Sequence, residues 1–147
     1  MSIELTQKEI QIGIQNGTKK YEKLDFLGKY AMYMGVAQLL EFGLKKLHQE
    51  KFGNSLEEME RWTLGRTKNE LAAKGLRPDF IHFLENVVEY RNYIAHEILA
   101  NFALMKSVID NVETNHYSKD ERTLDKGILE LEQLIFLFDW TNQNNAW

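Results

Sequence analysis

Two side chains in one short segment have types that could bind an anion and exchange a proton: Arg91 and His96, in Arg91-Asn92-Tyr93-Ile94-Ala95-His96. A guanidinium is a permanent cation whose flat fork of donors matches phosphate oxygens, and an imidazole exchanges protons near neutral pH. Arg91 occupies a seat that its surroundings reserve for apolar residues, because the same helical seam carries Phe80, Leu84, Val87, Ile94 and Ile98. A buried, unpaired guanidinium is strongly unfavourable. Arg91 must therefore pair with a Glu on a facing helix, hold an anion, or face a cleft or subunit boundary. His96 lies five residues on, roughly 140° around an ideal helix. The two share a space only through the long Arg91 side chain, a bend after Ala95, or a second subunit closing the cleft. Asn92 and His96, four apart and about 40° around the helix, share a face and can bond one ligand or each other. The plainer alternative for His96 is a half-buried histidine donating to a backbone carbonyl.

Other candidates are weaker. Asp79-x-x-His82 and Glu113-x-x-His116 have the carboxylate–histidine spacing of di-metal bundles, but such sites need two further inward carboxylates, and surface roles suffice for both pairs. His48 is placed at a helix end, where a cation complements the dipole. The aromatics, among them Tyr30, Tyr33, Trp62, Phe83 and Phe138, follow helical stripes without interleaved basic runs, so they are read as core or dimer contacts. Lys19-Lys20 and Lys45-Lys46 are short solvated pairs. The scattered glycines lack the spacing of a phosphate-binding loop, and no cysteine exists to supply a thiolate ligand, a disulfide or a thiol nucleophile.

Apolar periodicity predicts the elements that carry these residues. Residues 21–51 read as one long amphipathic helix with a stripe through Leu24, Leu27, Ala31, Met34, Ala37 or Gln38, Leu40 or Glu41, Leu44 and Leu47. Its Gly28, Ala31, Gly35 and Gly43 leave room for a neighbouring helix to approach closely. Gly53 stops it, and Ser55-Leu56-Glu57-Glu58 reads as a capping box opening a second helix that Gly75 ends. Pro78 and Asp79 open a third, and no Gly or Pro interrupts residues 79–112, so one long helix or two joined by a kink fit equally. After a polar stretch, Ser118-Lys119-Asp120-Glu121 reads as the cap of a last helix with Leu124, Ile128, Leu131, Leu134 or Ile135, and Phe138 inward. Residues 1–17, with Gly13 and Gly17, and 142–147 are expected to be peripheral or frayed.

The chain is 147 residues long, with 44% hydrophobic and 27% charged residues and one proline, which fits a single all-α domain spanning 1–147, a four- to five-helix up-and-down bundle. A net charge of −4 argues against a stable nucleic-acid binder more than against a nuclease with a local positive cleft. No membrane span or leader is visible, so a cytoplasmic protein is expected.

Arg91-Asn92-Tyr93-Ile94-Ala95-His96 resembles the Arg, polar residue, spacer and His motif of the HEPN superfamily (higher eukaryotes and prokaryotes nucleotide-binding). The resemblance implies a small helical bundle, HEPN-like throughout, in which motifs from two subunits form one cleft. In catalytic members it implies a metal-independent endoribonuclease, so Arg91, His96 and Asn92 are the expected catalytic residues. His96 would serve as general base or acid, Arg91 would stabilise charge on the phosphate, and Asn92 would orient His96 or the phosphate. It further implies an RNA substrate, a homodimer, no metal or other cofactor, no DNA, and a prokaryotic toxin–antitoxin, defence or stress role with a possible antitoxin partner. The tyrosine that some HEPN toxins carry two residues after the histidine is replaced by Ile98. Other members are noncatalytic, which leaves a helical dimerisation, regulatory or nucleotide-binding module as the alternative.

Overall fold

A computed structural model describes the backbone of residues 5–108 and 114–147 and the side chains of 5–104 and 119–147. Among these residues the protein is all-helical, with no strand. Five helical rods form it: α1 (Gln7–Thr18), α2 (Phe26–Phe52), α3 (Leu64–Ala73), a composite rod of α4 (Pro78–Tyr93) and α5 (Leu99–Val108), and α6 (Thr114–Gln143). α6 is the central element, packed on by α1, α2 and α4.

Local chemistry explains most boundaries. Thr6 and Glu9 form a capping box at the start of α1, and Asp25 caps α2 by accepting from the Gly28 amide at 2.8 Å. Gly53 and Gly75 end α2 and the α3 region in the left-handed conformation, at φ +82° and +80°. Pro78 stands in the first turn of α4, where its missing N–H costs nothing, and Asp79 accepts from the Phe80 amide at 2.8 Å.

Several expectations are corrected. Ser55 does accept from the Glu58 amide, at 3.2 Å, but it caps only a turn; the helix starts at Leu64, where Thr63 accepts from the Arg66 amide. Tertiary packing decides this, because the intervening turn buries both Met59 and Trp62. The last helix begins at Thr114, so Ser118 lies inside α6; the connection at 109–113 falls outside the described residues. The ends are also better anchored than expected. α1 lies on α6 so closely that a Cβ at Gly13 would enter the Phe136 ring. Beyond α6, the Trp147 ring meets Phe80 edge-on at 4.8 Å, and Arg77 donates to the Ala146 carbonyl at 3.1 Å.

The core runs through Tyr33, Leu44, Leu71, Leu84, Val87, Ile94, Ile98, Leu124, Leu131 and Leu134. α2 departs from its expected stripe. Its buried face is Phe26, Tyr33, Ala37, Leu40, Leu44, Leu47 and His48, whereas Leu27 and Ala31 are exposed. The helix is apolar on two sides, and periodicity merged them.

His48 is likewise no exposed cation at a helix end. It is fully buried, its ring held edge-on by Phe52 at 5.2 Å and Trp62 at 5.3 Å, with neither nitrogen hydrogen-bonded within the described residues. Burial holds its pKa below the ordinary value, opposed in part by Glu70. The unfolded chain thus takes up a proton before the folded one does. Stability is full above about pH 6.5 and falls as pH drops through the window between that value and the lower folded pKa. Urea denaturation at pH 8, 6 and 5 should show this decline in the wild type and a smaller one in His48→Leu; equal declines in both would refute the assignment.

Candidate functional site

The Arg91–His96 segment is positioned by an irregularity. α4 and α5 are joined by a π-helical turn, Ile94–Ile98, which interrupts the run 79–108; residues 109–112 lie outside the described residues. A π turn closes five residues on instead of four, so it winds more slowly than an α turn. His96 lies within it, and the offset from Arg91 is narrowed below the roughly 140° of an ideal helix. Packing holds the turn in place: Ile94 and Ile98 are both fully buried, and α6 comes so close at Gly127 that a Cβ there would sit 2.6 Å from Ile94 Cδ1.

Arg91 is half-buried, unlike its fully buried seam neighbours. It lines a cleft of about 230 Å³ with Met34, Gly35, Ala37, Gln38 and Glu41 of α2 and Leu64 of α3. Of the alternatives for Arg91, the ion pair to a Glu on a facing helix is not formed among the described residues. Glu41 is the carboxylate on the cleft wall, and its ion pair, at 3.8 Å, is with Lys45. Arg91 makes no ion pair among the described residues; its guanidinium donates to Asn92 Oδ1 at 3.4 Å. Leu64 is the first residue of α3, so the positive end of that helix dipole adds to the field of Arg91. The cleft therefore sets one guanidinium and one helix end beside the Glu41 carboxylate.

Asn92 and His96 are both exposed. His96 makes no hydrogen bond or ion pair among the described residues, so the half-buried histidine bonded to a carbonyl is not what forms. The structure joins Arg91 to Asn92 directly and leaves His96 one turn further along, in solvent.

Tyr33 was not singled out as a functional residue from sequence. It is fully buried, its hydroxyl has no hydrogen-bond partner among the described residues, and burial raises its pKa well above the ordinary value, with the charge of nearby Arg91 acting in the opposite sense. Tyr33→Phe removes an unsatisfied polar group without changing shape. It should leave stability equal or raise it by up to about 1 kcal/mol, read by urea denaturation. A loss above that size would mean that the hydroxyl has a partner in solution.

The Asp79–His82 pair gathers no metal set among the described residues. Asp79 is bound by Arg77 at 2.7 Å, His82 is exposed, and the side chains of Glu113 and His116 lie outside the described residues. Among the described residues, no group of three or more His, Asp or Glu side chains converges on one point. No helix searched there is long and apolar enough to cross a membrane.

Comparison with family models, curated proteins and solved structures returns no match. The reading of the site rests on its own residues.

Proposed function

We propose that this chain is a metal-independent endoribonuclease of the HEPN type, an up-and-down helical bundle that acts as a homodimer with paired motifs. The observation that carries the reading is Arg91: a guanidinium set in an apolar seam, open to a cleft, without an ion-pair partner among the described residues, and one π turn before an unengaged imidazole. A structural arginine in that seat would be expected to spend its charge on a carboxylate.

The chemistry follows from the residue types. His96 removes the proton of a ribose 2′-hydroxyl, the 2′-oxygen bonds to the adjacent phosphorus, and the bond to the 5′-oxygen breaks. The proton that His96 took is passed, directly or through water, to that leaving oxygen, giving a cyclic 2′,3′-phosphate and a 5′-hydroxyl. Arg91 stabilises the charge that grows on the phosphate oxygens, and Asn92 holds the guanidinium or the phosphate in place. The nucleophile belongs to the substrate, so RNA is cleaved, DNA is not, and no metal or cofactor is required. A prokaryotic toxin–antitoxin, defence or stress role, with an antitoxin to restrain the enzyme, is part of the same proposal.

The alternative is a noncatalytic dimerisation, regulatory or nucleotide-binding module. It is favoured by one observation, that no described group orients the exposed His96. The test is incubation of a mixed RNA pool with the purified protein in EDTA. Cyclic phosphate ends support the ribonuclease. Intact RNA at all protein concentrations, from a preparation shown to be folded and dimeric, sinks it in favour of the module.

A further inference from the structure

A second cavity, of about 460 Å³, opens where α1, the start of α4 and the end of α6 meet, and it shares no lining residue with the Arg91 cleft. Phe80 on its wall and Arg91 are eleven residues apart on α4, about 16 Å along that helix. Phe80, Phe83, Leu137 and Trp140 give it apolar walls, and α1 adds Ile10. Two contacts keep it from closing. The buried Phe80 ring is met edge-on by Trp147 at 4.8 Å, and Arg77 donates both to the Ala146 carbonyl at 3.1 Å and to the Asp79 carboxylate at 2.7 Å. A preformed hollow of this volume, lined by rings with a few polar groups, has the form of a small-molecule site.

The polar lining says which molecule fits. Thr141 turns its hydroxyl back to the Leu137 carbonyl at 2.6 Å, and Arg77 and Asp79 are bound to each other, so their charges cancel. A charged ligand would lose its water and gain little field in return. Gln133 differs from these: it is half-buried in the cavity wall, and its amide makes no hydrogen bond among the described residues. A side-chain amide carries a donor and an acceptor side by side, and its complement is another amide.

We infer that this cavity binds a small, uncharged aromatic carboxamide, its ring among Phe80, Phe83 and Trp140 and its amide paired with that of Gln133. The volume lies towards the low end for ligand sites, which suits a molecule of one or two rings. Binding here is independent of the Arg91 cleft and of RNA cleavage.

The test is titration of the full chain, labelled with nitrogen-15, with benzamide, followed by two-dimensional NMR. The three tryptophan indoles report position: Trp140 lines the cavity, Trp147 leans on its Phe80 wall, and Trp62 packs against His48 elsewhere. Benzamide should shift the Trp140 indole and the Gln133 side-chain amide saturably, with a Kd on the order of 1 mM or tighter, and leave Trp62 in place. Acetamide, which has the amide without the ring, and benzoate, which has the ring and a charge in place of the amide, should each bind at least about tenfold more weakly. Gln133→Leu, close to the wild type in shape, should weaken benzamide by about tenfold while the spectrum keeps its dispersion and Tm does not fall. The absence of saturable shifts well above that concentration overturns the inference. So does benzoate binding as tightly as benzamide, which would make this an anion site at Arg77, or undiminished binding by Gln133→Leu, which would reduce it to contact with the rings. No RNA enters the measurement, so a chain that binds benzamide and leaves RNA intact keeps this site and loses the ribonuclease, and the opposite pair of results does the reverse.

Discussion

His96→Ala is expected to lower the rate of RNA cleavage by about 10²–10⁴-fold, the range that general acid–base catalysis contributes. The same change should shift stability by less than about 0.5 kcal/mol, because His96 is exposed and makes no hydrogen bond among the described residues. That separation of activity from stability is what distinguishes a catalytic imidazole from a structural one. Arg91→Ala should cost about 10²–10³-fold through lost stabilisation of the charged phosphate. It should also cost some stability, since the half-buried Arg91 stem packs in the cleft. Arg91→Lys retains the charge without the planar fork and should restore little of the activity. The measurement is the initial rate on one RNA in EDTA, beside urea denaturation of each variant. Cleavage by His96→Ala above half the wild-type rate would remove His96 from the mechanism and point to a contaminating nuclease.

Arg91 and the π turn mark the boundary of what the sequence makes legible. An arginine in the seam of Phe80, Leu84, Val87, Ile94 and Ile98 is visible in a single chain, because one charged residue breaks an otherwise apolar period. Its cleft is not visible: Glu41, Leu64 and Gln38 come from two other helices, and whether Glu41 engages Arg91 or Lys45 is settled by tertiary geometry. The π turn leaves no mark either. Ile94 and Ile98 are four apart, a spacing that an α-helix also satisfies, and the extra residue is accommodated by packing against Gly127. Boundaries read well where one residue carries the cause, as at the Gly53 and Gly75 stops and the Pro78 start. Starts read poorly where two caps compete, and burial of Met59 and Trp62 favoured Thr63 over Ser55. α2 shows the same limit from the other side. Its sequence announces apolar residues without saying which of two faces joins the core, and Leu27 and Ala31 proved to lie outside it.

The largest effect on stability is expected at a charge that periodicity does not flag. Glu132 lies on the core side of α6 with only 3% of its side chain exposed, paired with the Lys20 ammonium and within 3.4 Å of the Tyr21 hydroxyl, which donates to it. Gly17 gives the carboxylate its space, since a Cβ there would collide with it, and Lys20 also donates to the Gly17 carbonyl at 2.8 Å. The cluster thus fastens the end of α1 and the turn after it to α6. Lys20→Met strands a buried carboxylate and should destabilise the fold by about 2–4 kcal/mol, somewhat under the cost at a wholly buried pair because Lys20 is itself 36% exposed. For a chain of this size that is a fall in Tm of roughly 5–12 °C. Glu132→Met alone leaves behind only a lysine able to turn to water, so it should cost less. Lys20→Met combined with Glu132→Met should recover most of what Lys20→Met loses, because no buried charge is left unmatched. Thermal unfolding of the four proteins closes the cycle. Additive losses in the double variant would show that the two side chains act independently, and the fastening of α1 to α6 would then have to come from the contact of Gly13 with Phe136.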